Sequence, residues 1–359
     1  MKRTAALLGF AGMALAIALV ASQGIGEVWS ALAGAGWGLL AVCAFYPAAL
    51  LMDTECWRLL FPAEHRPDFS ALVLPRWICD AVNGLLPVAH VGGEFVRARL
   101  VAHRGIPGAY AGAGVVADIT AGILTEILFT FAGIALLVRR GGGGGTVTAA
   151  AVGALLFCAI VALFLVAQRS GMFLRLARLL ERLVQVGDWE NVMGSARALD
   201  AAVMETYGRR REFLAACLWR MGGWLAGTLE VWLALFFLGR PVGIGEAVML
   251  ESLGQALRHA AFMVPGALGV QEGGFILLGS FVGIAPETGL ALSLMKRIRE
   301  LLVGLPALLL WQIAEGRRFF RARPQSLSAD PGTAGEPPPP LPRAGGRHRL
   351  KISPTKRKK

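Results

Sequence analysis

The sequence predicts an all-α, polytopic helical membrane protein with about six full spans. Two broken, re-entrant helical hairpins complete it, arranged as an inverted repeat. Three observations carry this reading. Of the 359 residues 55% are hydrophobic, and the mean hydropathy is +0.57, whereas soluble domains hold about 45–50% apolar residues. Several continuous apolar windows approach or exceed the roughly 18 to 20 residues that cross a bilayer, and their continuity excludes the alternation of a β-barrel. Two further apolar stretches, around Pro87 and Pro265, are broken by Pro, Gly and ionisable residues.

The first span, about 5–22, follows Met1-Lys2-Arg3. It mimics a signal peptide, but no small-x-small cleavage site follows, so it reads as an uncleaved helix. The second span is about 37–56, with Arg58 and Arg66 after it. The region 69–105 is less regular and contains Pro75, Arg76, Asp80, Pro87, Gly92, Gly93, Glu94, Arg97 and Arg99. The third span, about 109–138, carries Asp118 and Glu126, and Arg139, Arg140 and five Gly lead into a fourth at about 146–167.

Residues 169–212 hold eight Arg and six acids. Arg175, Arg178, Arg182 and Gln185 recur there at helical spacing with apolar residues between, the pattern of an amphipathic helix on a membrane surface. A fifth span, about 213–239, contains Arg220 and Glu230, which read as structural. The broken stretch 244–284 and a final span of about 286–315 complete a domain over 1–315.

The tail, 316–359, holds 12 Lys and Arg against two acids and so carries most of the net charge of +12. It reads as a Pro-rich, disordered cytoplasmic arm near an anionic membrane surface. The remaining body is near neutral, which gives no support for nucleic-acid binding. The five Cys lie in apolar stretches without a CxxC pair and read as small hydrophobes. Lys and Arg concentrate at the N-terminus, 58–66, 169–212 and the tail, and are absent from 23–36. By the positive-inside rule both termini are cytoplasmic, although Arg139, Arg140 and Arg240 run against this assignment.

The two broken stretches share a motif. Pro87 and Glu94 enclose six residues, as do Pro265 and Glu272, with Gly92, Gly93, Gly266 and Gly269 inside. In each case a charge follows 24 positions after the Glu, Asp118 in the first half and Lys296 in the second. The lag is 178 residues, and the orientation above inserts the hairpins from opposite faces, as in transporters with broken helices. A half-helix beginning after Pro87 or Pro265 aims its unpaired N–H groups at an anion such as a lipid phosphate. Glu94 and Glu272 would repel that anion, so each is expected to pair with an arginine among Arg97, Arg99, Arg258, Arg297 and Arg299. The other resolution is a cationic or hydroxylated headgroup meeting the carboxylates directly.

A central charge costs about 2.5–3.5 kcal/mol in lipid. The ionisable residues must therefore line an interior, and Glu94 and Glu272 are expected to approach each other near the bilayer midplane. Plainer readings stand beside these. The Pro–Glu pattern is also that of a kink with an acidic first turn, and Lys296 to Glu300 that of a cytoplasmic helix flank. Asp118 and Glu126 fit a polar seam between helices, and His90 and His259 fit caps as well as a proton relay.

Leu85 to Arg99, Val116 to Thr120, Val264 to Gly274 and Leu294 to Glu300 resemble the lysylphosphatidylglycerol-synthase transmembrane (flippase-like) family. Within it they are similar to hopanoid-biosynthesis-associated HpnL-type membrane proteins. The resemblance covers about 5–315 and implies a lipid-translocase-like domain of bacterial inner membranes. No soluble aminoacyl-transferase domain follows 315, so another protein would make any lipid that is moved. His90-Val91 departs from the polar residue usual before the first Gly-Gly.

The expected function is transport of an amphiphilic lipid, a hopanoid or a modified phospholipid, between leaflets. Its polar path comprises Glu94, Arg97, Arg99, Asp118, Arg258, Glu272, Lys296, Arg297, Arg299 and Glu300. No cofactor, metal site or catalytic motif is expected, and the charges are mostly Arg, which argues binding over chemistry. The alternatives are a non-catalytic scaffold for lipid-biosynthesis enzymes and a membrane-embedded headgroup transferase.

Overall fold

The computed structural model describes residues 30, 33–34, 36–86, 91–140, 144–183, 189–261 and 264–322. The first expected span, Pro87, His90, Gln185 and most of the tail lie outside these. The described residues are helical, with no strand among them.

Five long helices occupy the expected places. These are α1 (Gly38–Leu59), α4 (Gly108–Arg139), α5 (Gly144–Arg169), α8 (Arg210–Phe237) and α11 (Pro286–Ala322). At about 1.5 Å per residue even the 22-residue α1 covers the roughly 30 Å of a hydrocarbon core. By length and apolar composition α1 and α4 are sufficient to cross a membrane, whereas α8 and α11 carry the charges described below. The final helix runs to Ala322, beyond the expected 315. The chain divides into Met1–Gln312 and a second unit from Ile313.

Between α1 and α4 lies a hairpin of α2 (Phe69–Leu85) and α3 (Gly92–Ala102). Pro75 inside α2 has no N–H, which frees the carbonyl of Ala71 four residues back. The Arg104 guanidinium donates to that carbonyl. Between α8 and α11 lies a second hairpin of α9 (Ile244–Ala260) and α10 (Val270–Ser280), joined through a 3-10 turn at Pro265–Ala267.

Adding 178 to the limits of α3 gives the limits of α10. The same shift carries the start of α4 onto the start of α11 and the end of α1 onto the end of α8. The helix order α1–α4 is therefore repeated as α8–α11. The repeat is inverted, because α1 and its equivalent α8 run antiparallel. Gly38 packs on Phe237, Met52 on Gly222, Asp53 on Gly223, and Cys56 and Leu60 on Ala216.

The insertion between the halves comprises α5, α6 (Met172–Leu183) and α7 (Trp189–Gly208). α6 is strongly amphipathic, as its spacing predicts. Asp200 on α7 caps its first turn by accepting from Phe173 N and Leu174 N at 3.2 and 2.9 Å. α7 packs along α4, with Tyr207 Oη 2.8 Å from Thr120 Oγ1. Arg209 donates to the carbonyls just beyond α1, Leu60 O and Phe61 O, at 2.7 and 3.1 Å.

The distribution of side chains is that of a protein solvated by lipid. Leu128, Leu155, Leu163, Leu218 and Leu309 are each more than 60% exposed, while Arg97, Asp118, Glu126, Glu251, Glu272 and Lys296 are buried. In water that arrangement would leave apolar surface open and hide charge, the reverse of what stabilises a fold.

Candidate functional site

The buried charges form two clusters, one centred on Asp118 of the first half and one on α11 of the second, with Arg220 of α8 crossing into the first. In the first, Asp118 of α4 is fully buried and receives three guanidinium groups on one oxygen. Arg97 of α3 lies at 2.7 Å, Arg76 of α2 at 2.8 Å and Arg220 of α8 at 3.6 Å. Asp53 of α1 bridges Arg220 and Arg76 at 2.8 and 3.0 Å. Asp80 lies 3.3 Å from Arg76 and accepts from Tyr46 Oη at 3.0 Å. Glu94 pairs with Arg97 at 2.5 Å and accepts from Asn83 Nδ2 at 3.3 Å. Gly122 leaves the space for Arg220 to reach across: a Cβ there would lie 2.9 Å from its Nη2.

In the second cluster Lys296 of α11 binds Glu251 of α9 at 2.6 Å, over the ring of Phe275. Arg297 binds Glu272 with two nitrogens. Arg258 pairs with Glu300 and donates to Gln271 Oε1 at 3.1 Å. Arg299 reaches Glu230 of α8 at 3.2 Å and stacks over Tyr46 at 4.9 Å. The expected pairing of each motif Glu with an Arg is thus found twice, as Glu94–Arg97 and Glu272–Arg297. Arg220 and Glu230 find partners in opposite clusters rather than in each other.

The helix breaks do more than interrupt. Gly266 and Gly269 have φ of +62 and +79, a region open to glycine, and the intervening Ala267 follows at +48. Arg297 Nη1 donates 2.9 Å to the carbonyl of Gly266 released by that turn. Glu272 folds back to accept from Gly269 N at 2.7 Å and so caps its own helix. At the first break Gly93 N donates 2.9 Å to Asn83 Oδ1. These capping N–H groups are therefore satisfied by the chain's own side chains and are not held open for an anion.

The second break meets the end of α2. A Cβ on Gly266 would stand 3.9 Å from Gly84 O, at the end of α2. Glu94 is bonded to Asn83, next to Gly84, and Glu272 is bonded to Arg297, which also donates to Gly266 O.

Between the clusters lies a cavity of about 580 Å³. Of the expected path residues Glu94, Arg258, Arg299 and Glu300 line it. Arg97 and Asp118 lie behind its wall, bonded to Glu94 and Arg76. Glu272, Lys296 and Arg297 are not on the wall and hold the second break and α9. Arg99 faces outward and donates to His103 Nε2 at 3.2 Å. Residues outside the expected path complete the lining: Tyr46, Asp53, Arg76, Asp80, Glu126, Arg220 and His259. Trp77, Ala81, Leu85, Val303 and Gly304 make one wall apolar. Asp53, Arg76, Asp80 and Arg220 each stand inside a predicted membrane segment, and that alone was the signal for them.

A sequence model of the family described as lysylphosphatidylglycerol synthase TM region matches residues 6–307. No curated protein and no solved structure matches the chain.

Proposed function

The chain belongs to the lysylphosphatidylglycerol synthase TM region family, and from that premise we propose that it moves an amphiphilic lipid between the two leaflets of its membrane. Membership makes it a membrane protein with a lipid-related function. The translocase reading is supported above all by the charged cavity between two inverted halves. At about 580 Å³ it is in the range that accepts a small polar molecule, here a lipid headgroup. Its charged wall replaces the water that a headgroup loses, and its apolar wall, Ala81, Leu85, Val303 and Gly304, leads toward the acyl chains.

The charges answer one another in pairs, an arrangement suited to opening for a headgroup and closing behind it. A hopanoid or a modified phospholipid of the bacterial inner membrane is the proposed cargo, with both termini cytoplasmic, and the chain is read as a carrier rather than an enzyme. The basic tail and α6–α7 are its proposed contacts with the anionic leaflet and with lipid-synthesis enzymes.

The test is a leaflet-resolved assay in proteoliposomes with fluorescent phospholipid. Wild type is expected to move lipid at least about ten-fold faster than Glu94→Gln, the loss of one well-placed charged contact. Equal rates for wild type, Glu94→Gln and empty vesicles would remove the reading.

A further inference from the structure

The 178-residue offset lets each corner of one half be compared with its counterpart in the other, and one corner differs. Beyond α1 the chain passes through Arg66, Pro67 and Asp68 and enters α2 at Phe69. The offset carries those three residues to Ile244, Gly245 and Glu246, which already form the first turn of α9. Pro67 accounts for the difference. A proline ring disfavours the α conformation in the residue before it, and Arg66 is extended, with φ of −74° and ψ of 114°. The helix therefore starts about one turn later in the first half.

The open chain leaves a hollow. A cavity of about 260 Å³ lies between Arg66, Pro67, Asp68 and Leu72 on one side and Val101 and Arg104 on the other. Leu72 and Val101, its apolar part, are buried. The counterpart in the second half is packed shut. Arg104 and Ile106 correspond to Val282 and Ile284, which both join the apolar core there. A Cβ on Gly279, the equivalent of Val101, would lie 3.4 Å from the Cβ of Ile284. Glu246 closes that corner by accepting from Gly243 N at 2.5 Å and binding Arg140. Its equivalent Asp68 makes no such cap on α2 and stands exposed on the rim.

The arginines of this hollow are unlike those of the interior. Arg76, Arg97, Arg220, Arg258, Arg297 and Arg299 each hold a carboxylate. Among the described residues Arg66 and Arg104 hold none. Arg66 donates through two nitrogens to one carbonyl, Phe61 O, at 3.3 and 3.4 Å, and Arg104 donates to Ala71 O. A guanidinium has five N–H donors, so each keeps more than half of them for another partner.

We propose that this corner binds a phosphate group between Arg66 and Arg104. Guanidinium groups hold phosphate oxygens through charge-assisted and often paired N–H donors. The apolar part suits the glycerol and first methylenes behind a lipid phosphate. The hollow also lies where α1 has ended and α4 is about to begin, the two helices long and apolar enough to cross a membrane. A phosphate there ties the chain after α1 to the chain after α3, across the open end of the hairpin that carries Arg76, Glu94 and Arg97. Occupancy steadies that hairpin, while the second is closed by its own side chains. The site does not depend on the transport reading.

The experiment uses the full-length protein, delipidated in a maltoside detergent that contains no phosphate. Amide hydrogen exchange is followed over 68–72 and 101–106 and over the counterparts, 246–250 and 279–284. Phosphatidylglycerol, diacylglycerol with the same chains, and inorganic phosphate are added separately. Phosphatidylglycerol is expected to slow exchange in the first two segments roughly ten-fold and to leave the counterparts unchanged. Diacylglycerol should do neither. Protection by phosphatidylglycerol alone marks a lipid site, and protection by inorganic phosphate marks a site open to free phosphate; either upholds the proposal.

Arg66→Gln and Arg104→Gln should each remove the protection. Both side chains lie toward the surface, and where one variant fails to fold the other decides. No protection by either phosphate source, equal protection by diacylglycerol, equal protection of the counterparts, or protection that persists in a folded variant overturns the site.

Discussion

Asp118 holds three arginines from three other helices, so its removal is expected to cost more than any single contact. Asp118→Asn keeps the shape and deletes the charge, which leaves Arg76, Arg97 and Arg220 partly unanswered in a buried site. Breaking a buried pair in this way costs about 3–5 kcal/mol. Thermal melting in detergent should show a large fall in Tm or no folded yield. Lys296 and Glu251 allow the complementary measurement. Lys296→Met alone should destabilise strongly, whereas Lys296→Met with Glu251→Leu should recover most of the loss, because the penalty lies in the orphaned charge. At this scale the sequence exposed Asp118 and Lys296 as charges in apolar runs. It hid their partners, since which arginine reaches Asp118 depends on how α2, α3 and α8 converge. Arg99 shows a limit that periodicity could have supplied. Two residues apart on a helix, Arg97 and Arg99 stand about 200° apart, so the first inside puts the second outside.

Among the helices the two breaks carry the design, and their Pro–Glu spacing made them legible before any coordinates. What the spacing did not reveal is that Asn83 and Glu272 each accept from a backbone N–H at the start of the following helix, Gly93 N and Gly269 N. Gly269→Ala would force a side chain into positive φ beside the cap that Glu272 closes. It is expected to lower stability by about 1–2 kcal/mol, read as a fall in Tm, and to slow lipid movement because Arg297 is tied to the same turn. The amphipathic α6 was equally legible from its arginine spacing. Its docking through Asp200 and α7 onto α4 was not, because one acid in a polar segment gives no sign of its partner.

For the whole molecule the constant lag between the halves was readable from two short motifs, and antiparallel α1 and α8 give it a physical form. If α1 and α8 both cross the membrane, the inversion is expected to put the loop after α3 and the loop after α10 on opposite faces. His103→Cys and Ser280→Cys, both exposed, test this with a membrane-impermeant maleimide. Ser280→Cys should label on intact spheroplasts, and His103→Cys only in inverted vesicles. Labelling of both from the same face would overturn the inverted insertion.

The charge bookkeeping of the first cluster also has a temporal side. Asp53, Asp80, Glu94 and Asp118 emerge from the ribosome with only Arg76 and Arg97 among the cluster's cations, and Arg220 follows about a hundred residues later. At about 5–20 residues per second that is a delay of roughly 5–20 s. During it a newly inserted half carries surplus negative charge inside a bilayer. Arg220 is therefore a closing piece of biogenesis, and its loss should appear first as degradation of nascent chains, before any defect in the mature protein.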